Sequence, residues 1–422
     1  MQAAARKQEV VVIGAGIVGA ATALRLVQDG HRVTIVEPAE PGGPQAASHG
    51  NGAFLSPASI IPMSGPGLWR KVPGYLCDPA GALTIRWRHL PRLLPWLWRF
   101  LLSGWTEARV ERTAAALNDL LQGAPSRHVA LAEAIGRPEL IRRDGLVYAF
   151  ADRAALAGEA LSWRLRRRFG VKTRELEAGE LHARLPALAD SYRFGLLVED
   201  GGHCHDPGAY TAAIVAEAER RGARRVRAEA TGFEIAGGRL RALVTAAGAI
   251  PCDAVVIAAG IRSKRLARAA GDRIPMESER GYHVEIAAPG IALSAPVMPQ
   301  DGKMANTMTA GGLRASGQVE LASEEAAPDW RRADILLGHL RRTWPGLATG
   351  GEIRRWQGNR PSTPDGRPVI GPARACPQIV HAFGHGHIGL ASSPMTAEIV
   401  AALIAGREPP IDIAPFSPDR FR

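Results

Sequence analysis

The chain of 422 residues is long enough for two domains, each able to bury a sizeable apolar interior. Its 46% hydrophobic and 22% charged residues are the proportions of a soluble globular protein. A formal charge of +11 would suit nucleic acid, but the arginines are spread along the chain without a helix-turn-helix pattern or RNA-binding aromatics. That excludes nucleic acid in favour of anionic small substrates or an anionic membrane surface.

In chain order, Val10-Val11-Val12-Ile13 predicts a strand that runs into Gly14, Gly16 and Gly19 in the spacing G-x-G-x-x-G, before a helix expected from Ile17 to about Asp29. Gly14 permits the tight turn, Gly16 lets a pyrophosphate touch the main chain, and Gly19 lets the helix pack closely on the strand. Ile17 and Val18 open the helix, whose N-terminal N–H groups face the phosphates. Gly30 stops it. His31 through Glu37 predicts the second strand, and Glu37 at its end accepts both ribose hydroxyls while disfavouring a 2′-phosphate. The N-terminal part is therefore read as a dinucleotide site.

Residues 43–66, rich in Gly, Ser, Pro and Asn, are expected to form a long functional loop. Leu90 through Trp105 mixes three tryptophans with arginines and leucines, which leaves two readings: an element lying flat on a bilayer, or a helix packed on its own domain. Helical spacing recurs from Thr106 to Ile135 and from Arg153 to Phe169, where the arginine run 164–168 reads as a solvated face. Asp206 is placed to cap, and Pro207 to open, a helix through Arg221. His203, Cys204 and His205 have no second ligand pair at finger-like spacing, so no metal is expected. Strands follow around 225–230, 232–235 and 240–246. Asp253 through Gly260 then predicts a parallel strand returning beside the first, with Ala259 and Gly260 at the cofactor. Gly281–Leu321 is read as β-rich, with a helix over Asp329–Thr343. Gly384 through Leu390 forms a second glycine-rich turn into an apolar helix ending at Ile404.

Cys77, Cys204, Cys252 and Cys376 are widely spaced with no C-x-x-C, which excludes zinc and iron–sulfur ligation and fits a reducing compartment. Met1 to Glu9 is polar and runs directly into the first strand, and no window reaches the ~18 apolar residues of a membrane span. A cytoplasmic protein is expected, with peripheral contact to the inner membrane face as the further option.

With these pieces in order the chain resembles the flavin-dependent family of D-amino-acid oxidases, glycine and sarcosine oxidases and D-amino-acid dehydrogenases, over nearly its full length. Beside the first glycine fingerprint, the resemblance is carried by Ser48-His49-Gly50-Asn51-Gly52, Asp78-Pro79 through Trp98, Glu279-Arg280-Gly281-Tyr282-His283, Gly312-Leu313-Arg314, Asn359-Arg360-Pro361 through Gly366, and Gly384 through Leu390. Within the family, the loop from Ser48, the segment from Asp78 and the turn from Gly384 occurring together resemble the bacterial D-amino-acid dehydrogenase branch, which is the expected placement. The resemblance implies an α/β fold: a Rossmann-like FAD-binding domain of split segments (8–60, 195–262, 362–408) and an α+β substrate domain (61–194, 263–361) with a mostly antiparallel sheet. It implies that Gly14, Gly16, Gly19 and Glu37 hold the ADP half of FAD and that Ser48, Asn51 and Gly52 line the flavin. Gly384, Gly386, His387, Ile388 and Gly389 would stand at its pyrimidine edge. Arg360 is implied to pair with the substrate carboxylate, with Tyr282, His283 and Arg314 on strands facing the substrate and His49 in the flavin loop. No cysteine stands in 357–361, so noncovalent FAD is expected.

The implied reaction is hydride transfer from Cα of a D-amino or cyclic imino acid to flavin N5, with burial of the site favouring the neutral amine. Electrons would pass to a quinone or other electron-transfer partner. A glycine- or sarcosine-type oxidase using oxygen, and a flavin subunit of a heteromeric dehydrogenase, remain as alternatives.

Overall fold

The computed structural model of the protein describes residues 7–77, 81 and 83–422, without the side chains of residues 71, 73 and 75–77. Residues 1–6 of the polar opening stretch, the Cys77 side chain and the Asp78-Pro79 pair lie outside the described residues.

The run Val10–Ile13 is apolar at every position because the strand Glu9–Ile13 is covered on both faces, and none of these four is more than 3% exposed. Among the described residues it lies inside a six-stranded sheet with the order Arg224–Val226, Arg32–Val36, Glu9–Ile13, Ala254–Ile257, Ile379–Phe383, Val369–Pro372. Only the last pair is antiparallel. One face is covered by helices Ile17–Gln28, Pro207–Arg220 and Gly389–Ile404. The other carries an antiparallel meander, Ala230–Ala236, Arg239–Thr245 and Gly248–Pro251, together with helix Ser263–Ala269. The expected cap is present, as Asp206 accepts from the Ala209 N–H at 2.9 Å with Pro207 in the first helical turn.

A second, larger sheet runs Ile353–Ser362, Glu277–Ile286, Gly312–Leu321, Ala305–Thr309, Val297–Pro299, Leu146–Phe150, Phe194–Val198, Thr173–Glu177. It is antiparallel except where Val297–Pro299 meets Leu146–Phe150 and where Leu83–Ile85 pairs with Val319–Leu321. One face packs on helix Arg331–Thr343 through Leu336, Leu340 and Trp344. The opposite face looks toward the carboxyl ends of the parallel strands. Strand Phe194–Val198 belongs to this sheet, so the expected segment 195–262 opens with a strand of the other layer. All five of its residues are buried, and without polar alternation the run carried no sign of which sheet it would join.

The helical stretches break where glycine intervenes. Thr106–Ile135 forms Glu107–Leu121 and Ala124–Ala134, separated at Gly123 with φ +65°. The arginine run is not wholly solvated. Arg166 is buried, donates Nε–H to the Ala58 carbonyl at 2.9 Å and lies over the Trp163 ring. In helix Leu90–Ser103 the two readings divide by face: Leu93 and Trp96 are buried, while Leu94 and Trp98 are 55% and 63% exposed. Among the described residues no helix is long and apolar enough to cross a membrane.

Candidate active site

A cavity of about 1450 Å³ runs from the first glycine turn to the face of the large sheet that carries Glu279, Ser316 and Gln318. Small-molecule pockets are typically ~300–1,000 Å³, so there is room for a dinucleotide with a substrate beside it.

At one end, Gly14 has φ +103°, and a Cβ there would lie 2.5 Å from the Ala258 oxygen; a Cβ on Gly19 would lie 2.0 Å from the Gly14 oxygen. The turn thus closes only with glycine at both positions. A Cβ on Gly16 would meet nothing nearer than the Ser48 Oγ at 3.4 Å, and this residue lines the cavity, as do Ile17, Val18, Ala259 and Gly260. Glu37 lines it too. Its Oε2 accepts from the Ala15 N–H at 2.9 Å and its Oε1 from the Ala39 N–H at 3.1 Å, so the acid is held at the strand end beside the turn. Ser48 Oγ accepts from the Ile17 N–H at 3.0 Å, tying the following loop to the helix N-terminus. These features form a cradle a Cβ would fill, with N–H groups and an acid at its rim, and they fit the ADP half of FAD.

The loop 48–52 is held against the large sheet from above. Arg314 Nη1 donates to the His49 and Asn51 carbonyls at 3.1 Å, Ser316 Oγ to the Gly50 carbonyl at 3.2 Å and Thr307 Oγ1 to the Gly52 carbonyl at 2.8 Å. Asn51 and Gly52 face the cavity, and Asn51 Oδ1 accepts from the Ala53 N–H at 2.8 Å. Arg314 is fixed in turn by Glu285, Nε to Oε2 at 3.0 Å and Nη2 at 2.8 Å. His283 stacks on Trp356 with centroids 5.1 Å apart and donates from Nδ1 to the Gly50 carbonyl at 3.2 Å. Burial, then Arg314, pushes it down to about 3, so it stays neutral. His49 turns its ring away, Nδ1 meeting the Gly42 carbonyl at 2.9 Å. His49, His283 and Arg314 therefore brace the loop instead of lining the cavity, which corrects the expectation that His283 and Arg314 face the substrate.

Tyr282 is a further correction. Alternation on Glu277–Ile286 sends it with Val284 and Ile286 into the core beneath the sheet, where its hydroxyl donates to Glu320 Oε2 at 2.6 Å and accepts from the Asp329 N–H at 3.0 Å. The opposite face carries Glu279, which the sequence reading gave no role.

At the far end Gly384 and Gly386 have φ +80° and +53°, and the Gly386 N–H donates to the Pro361 carbonyl at 2.9 Å. The turn delivers Ile388 and Gly389 to the cavity wall at the N-terminal end of helix Gly389–Ile404, whose N–H groups favour negative charge. His387 opens onto the cavity, although protein surrounds it. Burial, then Arg360, pushes it down to about 4. His385 instead packs behind the turn, Nε2 to Thr396 Oγ1 at 3.1 Å.

Arg360 reaches the cavity over Gly281, where a Cβ would lie 2.3 Å from its guanidinium carbon. Its Nη1 donates to the Gln318 carbonyl at 3.0 Å and its Nη2 to the Gly317 carbonyl at 3.4 Å. Gln318 holds φ +60° at an irregular point of the ladder, a rare conformation for a residue with a side chain. Sequence reasoning missed Glu279, Ser316, Gln318 and Trp356; the glycine at 281 was the available signal that a neighbouring side chain crosses there. The described cysteines Cys204, Cys252 and Cys376 are buried away from the cavity lining. Among the described residues no cluster of three or more His, Cys, Asp or Glu could hold a metal.

The family described as FAD dependent oxidoreductase matches residues 9–403. The chain is 52% identical to a "D-amino-acid oxidase" of Bradyrhizobium diazoefficiens, over 98% of its length and 99% of that relative's. It is 32% identical to "D-amino acid dehydrogenase 2" of Ralstonia nicotianae, over 97% and 99%. In fold it is similar to the glycine oxidase of Geobacillus kaustophilus, with a TM-score of 0.73 at 22% identity and coverage of 97% and 98%.

Proposed function

The chain belongs to the FAD dependent oxidoreductase family, and from that premise we propose that it oxidises D-amino acids, open-chain or cyclic such as D-alanine, D-proline or hydroxy-D-proline. The observation that carries the reading is Arg360, a guanidinium in the same cavity as the two glycine turns. The names of relatives at 52% and 32% identity support the substrate class.

Gly14, Gly16, Gly19 and Glu37 would hold the ADP half of noncovalent FAD, and Ser48, Asn51, Gly52 and the turn 384–389 its flavin. Bound FAD would supply the acceptor for one hydride, which carries the two electrons of the oxidation. The chain's own residues do the rest. Arg360 forks the substrate carboxylate, which fixes the direction of the Cα–H bond. The helix N-terminus at Gly389 presents N–H groups where negative charge develops. Val319, Leu321, Ile85 and Leu97 keep water from the site.

The test is the anaerobic visible spectrum of the holoprotein before and after D-alanine, D-proline, cis-4-hydroxy-D-proline, sarcosine and the L-counterparts. Bleaching by the D-compounds alone is expected; bleaching by sarcosine or L-compounds only would overturn it.

For the acceptor, we favour a quinone or similar carrier reached at a membrane surface, because Trp87, Leu94, Trp98 and Trp105 are exposed among Arg88, Arg92 and Arg99 on one stretch of chain. The second reading, oxygen, is favoured by the 52% identity to a protein named as an oxidase. Peroxide formed in air at the rate of substrate turnover selects it.

A further inference from the structure

Glu279 and Arg360 are direct partners in the ladder between Glu277–Ile286 and Ile353–Ser362, and both line the cavity. Glu279 is only 6% exposed. Among the described residues no cation lies within 4.0 Å of its carboxylate. Arg360 is held off by the carbonyls of Gln318 and Gly317. The neighbouring Ser362 hydroxyl favours ionisation of the acid, yet its Oγ is buried without a hydrogen bond within 3.5 Å. The other buried carboxylate of this sheet face, Glu285, is paired with Arg314, and Glu320 on the opposite face with Arg280 and Arg86. A carboxylate taken out of water without a partner is strongly disfavoured. Glu279 is left with the cavity, and an acid and a guanidinium set apart on neighbouring strands there match the two charges of a zwitterion.

We propose that Glu279 receives the substrate's α-ammonium group and takes a proton from it. The assignment rests on the reading of Arg360 as the carboxylate clamp. One N–H bond of the ammonium breaks and an O–H bond forms on Glu279. The freed lone pair can then become the second C–N bond as the Cα–H pair leaves as hydride, for which bound FAD would be the two-electron acceptor. The Glu279 proton returns to solvent when the imino product leaves. Burial raises the acid's pKa, and Arg360, then Ser362, oppose it; a base whose affinity for protons is raised toward working pH is suited to the task.

The experiment uses FAD-loaded wild type, Glu279→Gln and Glu279→Asp, with D-alanine followed by anaerobic bleaching from pH 6 to 10, and propionate, which has a carboxylate but no amine, followed by the shift of the flavin spectrum. For Glu279→Gln, bleaching at pH 7 is expected about 100-fold slower, the deficit shrinking toward pH 10 where the amine is already neutral. Propionate should bind this variant as tightly or more tightly, because a competing negative charge near Arg360 is gone. Glu279→Asp should keep the wild-type pH dependence with part of the rate. An unchanged pH profile in Glu279→Gln, or weakened propionate alongside weakened D-alanine, overturns the proposal and leaves Glu279 as a brace for Arg360. If Glu279→Gln does not retain FAD, a pH profile for Glu279→Asp displaced as far as that of the free amine overturns it instead. Wild type that no D-amino acid bleaches overturns the substrate reading and this one together; wild type that bleaches while the variants behave like it overturns this one alone.

Discussion

Arg360 and Gln318 form a unit in which a left-handed residue inside a strand turns two carbonyls toward a guanidinium. Arg360→Lys keeps the charge and loses the fork. One charge-assisted hydrogen bond is worth about 1.5–3 kcal/mol, so kcat/KM should fall by roughly 10- to 100-fold, mainly through KM, in steady-state assays with the best D-amino acid; unchanged KM would remove Arg360 from the carboxylate. Gln318→Val places a β-branched residue at φ +60° and should cost of order 1–3 kcal/mol in chemical unfolding while raising KM. Gln318→Gly, which tolerates that φ, should keep KM near wild type. Tyr282 and His283 illustrate how little of this scale was legible. Adjacent residues on a strand face opposite ways, and which way is decided by what each layer packs against.

The first glycine turn separates packing from binding. Gly19→Ala brings a Cβ to 2.0 Å of the Gly14 oxygen and should cost about 1–3 kcal/mol in the apoprotein through overpacking. Gly16→Ala meets only Ser48 Oγ at 3.4 Å, so its apoprotein should melt like wild type while FAD dissociates at least ~10-fold more readily, the loss expected when a phosphate contact is pushed back. Equal effects of both on the apoprotein would contradict the division. This turn was legible because strand, glycines and helix are contiguous. Helix Leu90–Ser103 was legible only as amphipathic. Its inner face meets Ile85 and Leu321, and Trp96 Nε1 donates to the Ser362 carbonyl at 3.2 Å. Trp87→Ser with Trp98→Ser, both exposed and outside the cavity lining, should change stability by no more than ~0.5 kcal/mol yet abolish co-flotation with anionic vesicles; retained flotation would end the membrane reading.

For the whole molecule, the buried histidines set an acid limit. His128 is pushed down to about 4, and His283 and His385 to about 3, by burial first in each case. The unfolded chain binds these protons from about pH 6.5 downward while the folded one does not, so stability falls as pH drops below 6.5 and continues to fall until the folded values are reached. Each group contributes up to about 1.4 kcal/mol per pH unit. The urea midpoint should therefore be clearly lower at pH 5 than at pH 7; a flat profile would mean that these rings are not held neutral.

The first glycine turn and the strands and helix around it were legible along the chain, because the glycine spacing, the acid ending the second strand and the caps act between residues near in the chain, where sterics and hydrogen bonding leave few conformations. The second glycine turn was marked by its own glycines, and Arg360 by resemblance. Long-range packing was needed to place Phe194–Val198 in the large sheet, turn Tyr282 into the core, set Arg314 and His283 on the loop 48–52 and stand Glu279 across the ladder from Arg360. Each of these depends on the register and facing of strands far apart in sequence, which long-range pairing selects and local residue pattern does not encode.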